Sequence, residues 1–161
     1  MKVLSINAKP YTLDISVFDY ETKNLLRYGT AYYKSKTETE RIVEIRDNIN
    51  ELLDEICPNL VVTQMLDLRH TLKRDLNNIT QIRTLLRLAC YERNIIYNEF
   101  RDIGWQKRLT NTKRPSKKAK LKIAREYSKK IDREQIADTI ILAESIVWNR
   151  IQIGKEWLNE T

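Results

Sequence analysis

The feature that most constrains this chain is the order in which its apolar stretches change periodicity. Strand-length stretches come first, and later ones alternate with stretches of helical period. Apolar residues at every second position predict a half-buried strand, whereas a spacing of three to four predicts an amphipathic helix. Strands that alternate with helices after an initial run of strands build a mixed sheet flanked by helices. We therefore predict one α/β domain that spans residues 1–161.

Five strands are predicted. The first three form an antiparallel meander, and the second of them alternates Leu13, Ile15 and Val17 with polar neighbours. The fourth is almost wholly apolar, as expected of a strand covered by helices on both faces. The predicted strands are residues 2–7, 12–20, 24–34, 59–65 and 94–100.

Helices fill the intervals between the later strands. Thr37 and Glu40 have the spacing of a capping box, which predicts a helix that begins there and ends before Pro58. The other predicted helices cover about 71–92 and about 133–154. A loop and a helix of weak amphipathicity, with Ala119, Ile123 and Tyr127 as its apolar residues, complete the chain between them.

Basic residues are concentrated in one segment, 107–130. That segment carries a formal charge of +10, which leaves −3 of the chain's total of +7 for the remainder. A solvated helix face usually mixes both signs, so the segment predicts a surface that binds a polyanion, with a merely solvated flap as the alternative. Its few aromatic residues favour phosphate contacts over base stacking. The predicted DNA contacts are Lys107, Arg108, Lys113, Arg114, Lys117, Lys118, Lys120 and Lys122.

Composition also argues against several classes of protein. The N-terminus does not have the pattern of a signal peptide, and no apolar run is long enough to span a bilayer. Cys57 and Cys90 lie far apart, and His70 has no Cys or His neighbour at metal spacing, which argues against a zinc site or a disulfide scaffold. We expect a cytoplasmic protein of a bacterial or phage-infected cell, with no membrane partner.

Four strings, together with the order of the elements, resemble the RuvC-type Holliday junction resolvases, and in particular their phage-like branch. The strings are MKVLSIN, NLVVTQM, IIYNEFRDIGWQKRL and QIADTIILAES. The resemblance implies an RNase H-like mixed five-stranded sheet flanked by helices in a single domain. It also implies a homodimer that binds branched DNA, and Mg²⁺-dependent cleavage of that DNA.

The same resemblance places four acidic metal ligands, and this chain departs from that pattern. It has Asn7, Gln64 (or Thr63, if the ligand position is 63) and Gln135 at three of the positions, and only Asp138 is acidic. An engineered change would account for Asn7 alone. Two-metal hydrolysis of a phosphodiester depends on carboxylates that hold Mg²⁺. We therefore predict a DNA-binding protein whose nuclease activity is lost or strongly impaired, with no cofactor and with Asp138 as the single candidate metal ligand.

Two alternatives remain open at this point. The first is an active Mg²⁺-dependent resolvase or structure-selective endonuclease, with a displaced site built from Asp14, Glu99, Glu134 and Asp138. The second is a protein-interaction or regulatory module of phage or mobile-element origin whose basic segment binds an acidic partner. Trp105 fits either a packed lid or a DNA contact, and the loop 66–70 lacks the aromatic wedge that the resemblance implies there.

Overall fold

A mixed five-stranded sheet with helices on both faces forms the protein. The computed structural model describes residues 1–65, 73–100 and 115–148. In chain order, the elements are β1 (Lys2–Lys9), β2 (Thr12–Asp19), β3 (Leu25–Tyr32), α1 (Glu38–Ile56), β4 (Leu60–Gln64), α2 (Lys73–Glu92), β5 (Ile96–Phe100), α3 (Lys117–Tyr127) and α4 (Glu134–Val147). This order agrees with the sequence prediction.

The strands lie in the order β3-β2-β1-β4-β5. The pairs β1–β2 and β2–β3 are antiparallel, whereas β1–β4 and β4–β5 are parallel, so the predicted meander and mixed sheet are confirmed. Strands β1, β3, β4 and β5 consequently end at one edge of the sheet, and β2 begins there. We call this edge the carboxyl edge.

Two apolar layers sandwich the sheet. One joins Leu4, Ile6 and their neighbours to α1 and α2. The other joins Val3, Phe18 and Val62 to α3 and α4, and Phe18 meets Tyr127 of α3 edge to face with ring centroids 5.1 Å apart. Successive residues of a strand point to opposite faces, so the layer that each strand residue faces follows from its position.

The basic segment and the last helix differ in detail from the prediction. Helix α3 buries Lys120, Leu121 and Ala124, and of its predicted apolar residues Ile123 and Tyr127 pack partly buried against the same layer. Its first residue follows Ser116, whose hydroxyl accepts a hydrogen bond from the backbone N–H of Ala119. Helix α4 is described to Val147, so the predicted extension to 154 falls outside the described residues. Among the helices that the structure describes, none is both long and apolar enough to cross a membrane.

The capping box at the start of α1 is confirmed, and it gives a test of the fold. The hydroxyl of Thr37 accepts from the N–H of Glu40, and the Glu40 carboxylate accepts from the N–H of Thr37. We expect Thr37→Ala to lower the free energy of unfolding by about 1 kcal/mol, because it leaves an N–H at the helix end without its acceptor. Urea unfolding measures the change.

The exposed Thr39, in the first turn of the same helix, supplies the matched control. Thr39→Ala should leave stability unchanged or slightly raised, because alanine favours the helix and the cap remains intact. Equal losses in the two variants would contradict a specific capping role for Thr37.

Candidate functional site

Asn7 and Asp14 form a cross-strand pair at the carboxyl edge. They lie opposite each other in the β1–β2 ladder. Because Ile6 faces the α1–α2 layer, Asn7 faces the α3–α4 layer, and Asp14 faces it too. Asn7 is 9% exposed and Asp14 is fully buried. The position where the resemblance implies an acid therefore holds an amide, and the acid lies one strand away.

Asp14 is held by polar partners from two other elements. The hydroxyl of Thr30 on β3 donates to its Oδ1 at 2.5 Å, and Nη2 of Arg133 lies 3.3 Å from the same oxygen. Arg133 is the N-cap residue of α4 and also donates to the hydroxyl of Tyr32. Burial raises the pKa of Asp14, although the Thr30 hydrogen bond and the charges of Arg133 and Lys9 act in the opposite direction.

A second charged cluster joins α3 to the first turns of α4. The Nζ of Lys120 lies 2.9 Å from Oε1 of Glu134 and 2.9 Å from Oδ1 of Asp138. Residues four apart on a helix share a face, so one ammonium group can contact both carboxylates. Lys120 is 9% exposed, and we call these three residues the lysine–carboxylate cluster.

The pKa shifts of Lys120 and Asp138 act in opposite directions on the charge of this cluster. Burial alone would lower the pKa of Lys120, but the charges of Asp138 and Glu134 outweigh it and raise that pKa, so the ammonium stays protonated. Burial raises the pKa of Asp138, against the opposing effects of Lys120 and Lys9. Removing one partner of a buried ion pair typically costs about 3–5 kcal/mol, so the cluster also ties α3 to α4.

The remaining amides lie on the same side of the sheet. Val62 faces the α3–α4 layer, so Gln64 faces it as well, and Thr63 is buried on the opposite face. Of the two positions, only 64 therefore lies on the same face of the sheet as Asn7. Gln135 lies half-buried in the first turn of α4. Asn7, Gln64 and Asp138 all belong to the face that α4 covers.

Glu99, proposed above as part of a displaced metal site, lies elsewhere. Its neighbour Phe100 packs in the α3–α4 layer, so Glu99 points to the other face. There its two oxygens are bound by Arg83 at 3.2 Å and by Arg87 at 2.6 Å, and the hydroxyl of Tyr97 donates to it at 2.8 Å. The four-acid site of Asp14, Glu99, Glu134 and Asp138 is therefore wrong.

The Mg²⁺ site implied by the resemblance does not fit these residues. Mg²⁺ is a hard cation that needs anionic oxygens to replace its tightly held water. Asn7, Gln64 and Gln135 are neutral, and Asp138 already contacts an ammonium group. Across the ranges that the structure describes, no three His, Cys, Asp or Glu side chains are placed to share a metal ion.

The described part of the basic segment has two distinct faces. Lys117, Lys118 and Lys122 are exposed on α3. Lys120 points the other way and binds Glu134 and Asp138 in the lysine–carboxylate cluster. It is therefore not on the surface, where the predicted DNA contact would place it. The predicted contacts Lys107, Arg108, Lys113 and Arg114, together with Trp105 and the loop 66–70, lie outside the described residues.

Sequence reasoning missed the internal cations of this site. The sequence predicts Arg133 only as the start of a helix, and it indicates no role for Lys9. For Lys120 a signal existed, because it precedes Leu121 and lies four residues before Ala124, on the face that the helix buries. Arg133 and Asp14 come together only through the packing of α4 against β2, which no local pattern reports.

Known structures share this architecture, although no protein-family model and no curated protein sequence matches the chain. The RuvC structure of Thermus thermophilus superposes with a TM-score of 0.78 at 16% identity, over 93% of this chain and 96% of that one. The T. thermophilus RuvC structure in complex with a Holliday junction substrate gives 0.77 at 16% identity, with the same coverage. The yeast mitochondrial Holliday junction resolvase gives 0.65 at 10% identity, over 90% of this chain and 77% of that one.

These likenesses define the fold. The protein is an RNase H-like α/β domain with a mixed five-stranded sheet, as predicted from its sequence. Within that class it has the fold of the RuvC Holliday junction resolvases, along nearly its whole length.

The buried Asp14 predicts a pH dependence of stability. Its pKa is raised in the folded protein, so the folded state binds more protons than the unfolded state just above the ordinary value of 3.8. Asp14 therefore makes the free energy of unfolding fall as pH rises through this window. In Asp14→Asn the free energy of unfolding should therefore fall less as pH rises through this window. Urea unfolding at a series of acidic pH values measures the difference.

Asp19 provides a control of opposite sign. The backbone N–H of Thr22 is the main cause that lowers its pKa, so Asp19 contributes stability that is lost as pH falls. Asp19→Asn should change the pH profile in the reverse direction. If wild type and Asp14→Asn gave parallel profiles, the assignment of a raised pKa to Asp14 would be wrong.

Proposed function

We propose that this protein binds branched or duplex DNA through its basic segment and does not cleave it. The observation that carries the proposal is the lysine–carboxylate cluster: the single acid that matches the implied metal site, Asp138, is paired with Lys120 at 2.9 Å. A carboxylate engaged in this way offers Mg²⁺ less charge, and three neutral amides do not replace it.

The exposed lysines of α3 support DNA as the partner. Lys117, Lys118 and Lys122 present three positive charges on one short helix, with no acidic residue in its first turn. Lysine contacts to phosphates release counterions, which gives affinity without base specificity. The T. thermophilus RuvC fold has been captured with a Holliday junction substrate, and that precedent favours a junction over other polyanions.

The amides are compatible with a phosphate at the same edge of the sheet. Carboxylates would repel a phosphate in the absence of metal, whereas the NH₂ groups of Asn and Gln can donate hydrogen bonds to its oxygens. Asn7 and Gln64 face the side of the sheet where Lys120 and Arg133 also lie. Replacement of acids by amides therefore suits binding rather than hydrolysis.

The proposal includes a cytoplasmic homodimer built from one domain per chain. The exposed Leu88 and Tyr91, 52% and 81% accessible and one turn apart on α2, supply apolar surface for such a contact. In such a dimer, the exposed lysines of each copy would contact a different arm of a branched DNA. Sedimentation of the free protein measures its oligomeric state.

The decisive experiment pairs binding and cleavage on one preparation. A labelled four-way junction is titrated with protein in EDTA, and Mg²⁺ or Mn²⁺ is then added to the bound complex. We expect retention of the junction and no cut product, because the part of the chain that the structure describes places no carboxylate set for the metal. A linear duplex with the arm sequences distinguishes junction preference from general DNA binding, and an active resolvase serves as the positive control.

Each of the other outcomes would support one of the alternative functions. Symmetric cutting would establish the Mg²⁺-dependent resolvase alternative and refute the loss of nuclease activity. Failure to bind either DNA would favour the protein-interaction alternative.

The contribution of α3 is tested by a charge-matched pair of double variants. Lys118→Gln with Lys122→Gln should weaken junction binding and reduce the slope of log affinity against log salt by about 1.8, since each lost phosphate contact removes about 0.9. The control, Lys23→Gln with Arg46→Gln, removes the same charge from the β2–β3 turn and from α1 on the other face. An equal effect of both pairs would mean that net charge alone, and not this surface, drives binding.

A further inference from the structure

An ammonium group occupies a position between two carboxylates at the edge of the sheet. Nζ of Lys120 lies at 2.9 Å from one oxygen of Glu134 and one oxygen of Asp138. The side chains of Lys120 and Asp138 are 11% and 13% exposed. Lys120 reaches this position from α3, a different element from the one that carries both acids.

Side-chain cations compensate the carboxylates at the carboxyl edge. Three acids lie near this edge: Asp14, Glu134 and Asp138. Arg133 contacts Asp14 at 3.3 Å, Lys120 contacts the other two, and Lys9 is close enough to lower the pKa of Asp14 and Asp138. A divalent ion would therefore have to compete with an ammonium group that both carboxylates already contact, whereas metal centres keep an excess of anionic oxygen.

Tethering gives the lysine an advantage over a dissolved ion. Its ammonium is held beside the carboxylates by the fold, so its effective concentration there greatly exceeds that of free Mg²⁺. It also carries three donors and avoids the dehydration that Mg²⁺ resists. Displacement of Lys120 would leave a buried charge without a partner, which is costly.

We propose that Lys120 takes the place of a divalent metal ion as the cation of the Glu134–Asp138 pair, and that it closes this pair to Mg²⁺ and Mn²⁺. The pair is consequently a latent cation site, which is exposed when the ammonium is removed. This inference deepens the proposed function and rests on it for its biological meaning. Its test uses free protein without DNA, so its failure is distinguishable from failure of DNA binding.

The test replaces Lys120 by methionine, which keeps most of the side-chain stem and removes the charge. Mn²⁺ binding is measured by the loss of the free Mn²⁺ electron paramagnetic resonance signal at pH 8. We expect wild type to bind Mn²⁺ weakly and Lys120→Met to bind it at least about ten-fold more tightly, since a like charge no longer opposes the metal. Mn²⁺ should also raise the unfolding temperature of the variant and leave that of wild type unchanged.

Two controls isolate the cluster. Lys118→Met removes an equal charge from the exposed face of the same helix, and it should bind Mn²⁺ as weakly as wild type. Lys120→Met combined with Asp138→Asn should lose the gained affinity, because only Glu134 of the pair remains. Circular dichroism confirms that each variant is folded before titration.

Several outcomes would overturn the proposal. If wild type bound Mn²⁺ as tightly as Lys120→Met, the lysine would not be closing the site. A folded Lys120→Met that gains no affinity would show that the two carboxylates cannot share a metal. Should Lys120→Met fail to fold, wild type alone decides: unfolding temperatures that rise with Mg²⁺ or Mn²⁺ at millimolar levels would refute a closed site, and temperatures that do not respond would support it.

Discussion

The packing of α4 across β1 and β2 is the contact on which the rest of this structure depends. From Ile136 to Val147 the helix is buried almost throughout, except for the partly exposed Asp138, so the whole helix is fixed against the sheet. Its first turn is thereby placed over the carboxyl edge, beside Asn7 and Asp14. Burial of apolar surface, at about 25 cal/mol per Å², determines where the polar groups of the first turn must lie.

Every charge brought to this edge then requires a partner. A buried carboxylate without one costs several kcal/mol, and Asp14, Glu134 and Asp138 all lie near this edge. In a metal-dependent nuclease of this fold, divalent ions could supply the compensation. Here Arg133, Lys120 and Lys9 supply it from the chain itself. In both cases the carboxylates need positive charge beside them. When side chains supply that charge, the carboxylates are not available to bind the metal ions of a nuclease.

Periodicity was sufficient to predict the sheet but not the site. The alternation of Leu13, Ile15 and Val17 and the capping box at Thr37 are local patterns, and the structure confirms both. The prediction placed Ile123 and Tyr127 on the apolar side of α3, where they do pack, but it left Lys120 among the surface contacts although its side chain is buried. The pairing of Asp14 with Arg133 joins distant parts of the chain, so only tertiary packing reveals it. Glu99 was misassigned because its facing depends on strand parity, which shifts with a one-residue change in boundaries.

Helix α3 has two faces with different duties, and the lysine–carboxylate cluster links them. Its outer face presents Lys117, Lys118 and Lys122, while its inner face is anchored to α4 through Lys120. The acid at position 138 therefore stabilises the packing of α3 against α4, whether or not it takes part in a reaction. Because Lys120 and Asp138 contact each other, a change of charge or size at one position is expected to require a complementary change at the other. Related sequences should therefore show covariation between positions 120 and 138.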